Sequence, residues 1–118
     1  MGLRRLDFVA PSSSPWGDKG VMVRLSVGKL DAAWYYNRVP PGGEPENESK
    51  YHEAKKWIRQ HGHCGLVASE IAIDEGDNQI YFIEGRNRFA ALRDLGYKVV
   101  KVWAHRDESD ELCRKYAP

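Results

Sequence analysis

The stretch Ile80-Tyr81-Phe82-Ile83-Glu84-Gly85-Arg86-Asn87-Arg88-Phe89-Ala90-Ala91-Leu92-Arg93-Asp94-Leu95-Gly96 changes its hydrophobic period halfway. Up to Ile83 it is a short apolar run of strand-forming residues. From Asn87 onward Phe89, Ala90, Leu92 and Leu95 recur at helical spacing, and Gly96 stands where a helix ends in a left-handed residue. A strand therefore turns into a helix at Gly85. The first N–H groups of a helix have no carbonyl partners and the helix dipole adds partial positive charge there, so such a corner attracts anions. Glycine lets a ligand approach the backbone, and Arg86 and Arg88 add guanidinium groups able to bond a phosphate through two parallel hydrogen bonds. Asn87 is an acceptable N-cap and a hydrogen-bonding side chain. The expected anion site is Gly85, Arg86, Asn87 and Arg88, with Glu84 placed directly before it.

Working outward, Glu70-Ile71-Ala72-Ile73-Asp74, a Glu75-Gly76-Asp77-Asn78 turn and Gln79 to Ile83 form a hairpin by pattern. Ser49 is the expected N-cap of a helix that carries Tyr51, Ala54, Trp57 and Ile58 on its apolar face and Lys55, Lys56 and Arg59 on its wet face, stopping at Gly62. Val21 to Val27 reads as the first core strand, Lys29 to Tyr36 as a short helix, and Val99 to Ala104 as the last strand. Glu108 to Tyr116 reads as a final helix capped by Ser109 or Asp107. Residues 1–20, rich in Ser, Pro and Gly, lack periodicity and read as a flexible arm pinned by Phe8 and Trp16. The Pro- and Gly-rich segment from Val39 to Glu48 reads as a solvated loop of a length that suits a lid. The order strand, helix, hairpin, helix, strand, helix predicts one α+β domain over 21–118, a small mixed sheet with helices.

The 118 residues and 42% apolar content suffice for one core, and a net charge of +1 gives no overall field toward nucleic acid or an acidic membrane. No apolar run approaches the roughly 20 residues that span a bilayer. The charged start reads as no signal peptide, and Leu6 stands where a myristoylation signal following Gly2 wants Ser or Thr. A cytoplasmic, reduced protein is expected, with Cys64 and Cys113 free. His61, His63 and Cys64 lack a second cluster to complete a zinc site, so no protein-held metal is expected there. Trp34, Tyr35 and Tyr36 with Arg38 read either as a base-stacking platform or, more simply, as core and rim. His105-Arg106, at the end of the last strand, is a further possible phosphate contact.

The stretch from Ile83 to Tyr97 resembles the GxxRxxA box of the ParB/sulfiredoxin superfamily, with Gly85, Arg88 and Ala91 at the three fixed positions. The likeness extends over roughly 21–104, where a strand, a hairpin, the box and a further strand follow in the family's order. It implies a ParB/sulfiredoxin-like fold in which Gly85, Arg86, Asn87 and Arg88 hold the phosphates of ATP or CTP with Mg2+. It also implies a carboxylate as base or metal ligand, for which Glu84 is best placed and Glu70 and Asp74 are alternatives. Sulfiredoxins carry their catalytic cysteine where Arg86 stands, so that chemistry is not expected. Nor is a full partition ParB, since its helix-turn-helix region and dimerisation tail have no counterpart before Pro118. The implied activity is nucleotide binding with hydrolysis or phosphotransfer. The alternatives are a DNA-directed nuclease or DNA-binding adaptor of a plasmid or phage, and a non-enzymatic inhibitor or immunity protein with a homodimer or protein partner.

Overall fold

The computed structural model describes residues 3–46, 48–74, 76 and 79–118. Strand β1 (Phe8–Val9) is followed by a 3-10 turn at Gly17–Lys19, β2 (Gly20–Ser26), α1 (Val27–Ala32), α2 (Glu48–His61) and a 3-10 turn at Gly62–Cys64. Then come β3 (Leu66–Val67), the hairpin strands β4 (Glu70–Asp74) and β5 (Gln79–Glu84), α3 (Arg86–Leu95), β6 (Val99–His105), a 3-10 turn at Arg106–Glu108 and α4 (Ser109–Tyr116). The main sheet has the order β2-β6-β4-β5, and β1 pairs with β3 in a two-stranded ribbon. The chain is thus an α+β domain, as its pattern predicts.

Alternation decides which faces are buried. In β6, Val100, Val102 and Ala104 are buried and pair antiparallel across from Leu25, Val23 and Val21 of β2. β6 then runs parallel to β4, with Trp103 opposite Glu70 and the Trp103 N–H donating to the Ser69 carbonyl at 2.8 Å. Helix α3 seats Phe89 against Phe82 of β5 and Trp34, at ring centroid distances of 4.7 and 5.6 Å. These rings join one core that also holds Leu30, Ile58, Leu92 and Leu112.

Several local expectations are corrected. Helix α1 ends at Ala32, and Trp34 forms an isolated parallel bridge with Ile80. Burial of the indole in the core outweighs the helical pattern of Lys29 to Tyr36. Ser26 caps α1 instead of ending a strand at Val27, its hydroxyl accepting from the Lys29 N–H. Ser49 lies inside α2, which starts at Glu48. Neither Ser109 nor Asp107 caps α4, because the 3-10 turn before it leaves Glu108 at the cap position. Of the hairpin turn, Glu75, Asp77 and Asn78 lie outside the described residues.

The segment read as a flexible arm is docked. The Leu66 and Ala68 N–H groups donate to the Asp7 and Val9 carbonyls at 2.6 and 2.9 Å, and Leu6 and Phe8 pack on the core. Parallel pairing with a strand nearly sixty residues away leaves no local periodicity to read. Among the described residues, no helix is long and apolar enough to cross a membrane.

Candidate functional site

Gly85 is the hinge of the site. Its φ of +84° lies in the left-handed region, where a side chain is strained, and it occupies the N-cap position of α3 with no side-chain cap. The Phe89 N–H donates to the Gly85 carbonyl at 3.0 Å and closes the first α-turn. The N–H groups of Arg86, Asn87 and Arg88 thus precede the helical ladder and emerge at the positive end of the dipole. Asn87 is in the first turn and not at the N-cap, a correction set by the positive φ that only Gly85 adopts readily.

Ser69, 3% exposed, donates its hydroxyl to the Gly85 carbonyl at 2.8 Å and so fixes the turn from below. A methyl group on Gly85 would come within 2.6 Å of both Ser69 Oγ and Arg88 Nη2, so the Arg88 guanidinium folds back over the glycine. Burial pulls the Arg88 pKa below its ordinary range, with Glu84 and Glu70 opposing the shift. Its Nε is buried without a hydrogen-bond partner, as are Asn87 Oδ1 and Glu70 Oε2. Arginine remains charged even when perturbed, so the corner keeps an unspent cationic donor.

Glu70 and Glu84 face each other across β4 and β5, beside an irregular register between Glu70 and Ile71. Glu70 is 2% exposed. Its carboxyl is pushed up from the usual range, first by burial and then by the Glu84 charge, against the pull of Arg88 and a hydrogen bond from Ser14. The Ser14 hydroxyl oxygen also accepts from Trp103 Nε1 at 3.2 Å. The docked N-terminal segment therefore supports a site residue, a contribution that nothing in its composition signals.

Gly85, Arg86, Asn87, Arg88 and Glu84 line one cleft of about 560 Å³, whose other walls are Leu66 and Val67 of β3, Phe82 and Ile83 of β5, and Lys50, Glu53, Ala54 and Trp57 of α2. Trp57, expected in the core, is instead 43% exposed on this wall. Arg86 is drawn aside. Its Nη1 donates to the Asn37 carbonyl at 3.1 Å, and its Nη2 sits 2.8 Å from Glu44 Oε1, an ion pair off the line of a good hydrogen bond. The loop after α1 thus meets the site through Glu44.

The same loop is tied to α3 by a network that sequence reading missed. Arg93, 9% exposed, bonds Asp31, Asp94 and the Val39 carbonyl, and Asp94 accepts from the Tyr51 hydroxyl and the Gly42 N–H. Burial would raise the Asp94 carboxyl, but Arg93, Tyr51 and Gly42 together hold it below the usual range. Burial and Asp94 push the Tyr51 phenol up to about 12. Arg93 and Asp94 sit on the helix as ordinary charges, and only the fold brings Asp31 and Tyr51 to them.

Comparison with family models, curated proteins and solved structures returns no match.

Other candidates lie elsewhere. His105 and Arg106 are not part of the cleft wall. Trp34 is core, while Tyr35 and Tyr36 are 65% and 67% exposed and Arg38 is paired with Asp31. Both cysteines are free. Among the described residues, no group of three or more His, Cys, Asp or Glu side chains is placed to hold a metal.

Proposed function

We propose that this domain binds a nucleoside triphosphate, with ATP and CTP as first candidates, by its phosphates at the Gly85 to Arg88 corner, in the manner of a ParB/sulfiredoxin-like domain. One observation carries this reading: an uncapped helix start opens into a cleft lined by Arg88, a half-buried arginine whose inner Nε has no partner. Backbone N–H groups and the helix dipole hold the anion, and Arg88 supplies the charged hydrogen bond. Arg86 engages after exchanging its contacts with Glu44 and Asn37.

Hard oxygen donors suit Mg2+, which keeps several waters and binds through one or two carboxylates plus substrate phosphates. Glu84 on the cleft wall is the carboxylate that would serve. Magnesium would neutralise charge on the transferring phosphoryl group. Glu84 is also the candidate proton acceptor for hydrolysis or phosphotransfer, placed at the end of β5 directly before the Gly85 corner. A thermal-shift screen across Mg-nucleotides tests the assignment, because a ligand bound only by the native state raises its apparent stability. No shift with ATP, CTP, GTP or UTP at millimolar concentration counts against it.

A second reading places a DNA backbone phosphate at the same corner. The exposed Tyr35 and Tyr36, next to the Asn37 carbonyl that holds Arg86, favour it. Magnesium-dependent cleavage of single-stranded DNA, lost in Arg88→Ala, supports this reading, whereas salt-independent absence of a gel shift opposes it.

A further inference from the structure

One face of α2 carries Lys50, Glu53, Ala54 and Trp57, spaced i, i+3, i+4 and i+7, and all four line the cleft across from the Gly85 corner. Residues at this spacing share a stripe that usually faces the core, and Tyr51 and Ile58 take that role. The second stripe is left to the cleft. Trp57 is 43% exposed on it, and on the walls beside it Val67 and Ile83 are 41% and 37% exposed. A neighbouring ring, His61, leans on the indole at 5.4 Å with an interplanar angle of 53°.

A site for a bare phosphate or a phosphosugar has no use for three large apolar side chains in water. Apolar surface in a cleft favours a ligand that covers it, and an indole offers a flat face on which an aromatic ring stacks. The polar groups of the cleft are divided between its walls: the arginine corner on one side, a carboxylate and an amine on the other. From this division, and resting on the nucleotide reading above, we infer that the α2 stripe is the base subsite. Trp57 stacks the nucleobase, and Glu53 accepts a hydrogen bond from an exocyclic amino group, which selects adenine, cytosine or guanine over uracil. Lys50, one turn before Ala54 on the same stripe, supplements the charge that holds the phosphate chain.

The test is equilibrium binding of MgATP, MgCTP, MgUTP and magnesium tripolyphosphate to the wild-type chain and to Trp57→Ala, Trp57→Phe and Glu53→Gln. Trp57 is exposed and alanine favours helix, so the variants are expected to keep the wild-type melting curve. Stacking on an aromatic side chain is worth about 5- to 150-fold in affinity. Trp57→Ala should therefore weaken ATP and CTP by that range while leaving tripolyphosphate within about twofold, and Trp57→Phe should recover most of the loss. Glu53→Gln should narrow the preference for ATP and CTP over UTP. The inference is overturned if tripolyphosphate binds the wild type as tightly as ATP and CTP do, or if Trp57→Ala weakens all four ligands equally. Both results leave the phosphate seat standing. Binding of none of the four to the wild type overturns the nucleotide reading and the base subsite together.

Discussion

Replacing Gly85 by alanine perturbs the hinge on which both the fold of the corner and the placement of Arg88 depend. At a φ of +84° the residue is in the left-handed region, which costs an L-residue about 1–2 kcal/mol. The added Cβ also meets Ser69 Oγ and Arg88 Nη2 at 2.6 Å. Arg88 can swing its far end away at little energetic cost, but the short Ser69 side chain cannot move without giving up its bond to the Gly85 carbonyl, worth about 1 kcal/mol. The total is roughly 2–3 kcal/mol, or about 8–12 °C in melting temperature for a domain of this size. Gly42 gives a matched control: its φ is +86° and a Cβ there meets nothing within 4 Å. Gly42→Ala is expected to show the backbone strain alone, about 1–2 kcal/mol. Urea and thermal unfolding of the two variants isolate the crowding term. If Gly85→Ala is no less stable than Gly42→Ala, the tight packing of Ser69 and Arg88 on the glycine is refuted.

Two further predictions concern charge. Because burial and Glu84 raise the Glu70 pKa above 4.5, the native state holds that proton more tightly than the unfolded chain. Stability is then lost as pH rises from the unfolded value through the folded one. Glu70→Gln should raise the melting temperature at pH 7 relative to wild type, with the gain shrinking at pH 4; a loss at pH 7 that exceeds any loss at pH 4 contradicts the sign. Asp94 works in the opposite sense, since its pKa is held below 3.8 and its contribution is present above the unfolded value and disappears as pH falls through the folded one. Removing its partner by Arg93→Met leaves the carboxylates of Asp31 and Asp94 without their common cation, at a cost of about 3 kcal/mol. A melting temperature within 2 °C of wild type, where about 10 °C of loss is expected, refutes the network's importance.

Much of the architecture is legible in the chain because local pattern and tertiary fold agree. The period change at Gly85, the left-handed Gly96 and the alternation in β6 each locate an element whose side chains then meet the core as expected, whereas β4, alternating in sequence, is buried on both faces. The cap and boundary misreadings are local, but the larger ones share one cause, a non-local partner. The N-terminal segment looks loose until Leu66 and Ala68 supply its hydrogen bonds, and Trp34 leaves its helix for a place between Phe82 and Phe89. The corner itself was readable because glycine, two arginines and an asparagine are consecutive. Which arginine is unspent was not, since Glu44 and Asn37 reach Arg86 only through the loop. Trp57 fits the apolar spacing of α2 as well as Ile58 does, and only the position of β3 and β5 decides that one faces the cleft and the other the core.

Titration calorimetry of Mg-nucleotides into the wild-type chain and Arg88→Ala addresses the phosphate grip itself. Loss of a hydrogen bond to a charged group costs about 1.5–3 kcal/mol, so the affinity for ATP or CTP should fall roughly 10- to 150-fold in Arg88→Ala with its fold retained. Equal affinity in the two proteins would contradict the assignment of this corner as the phosphate site.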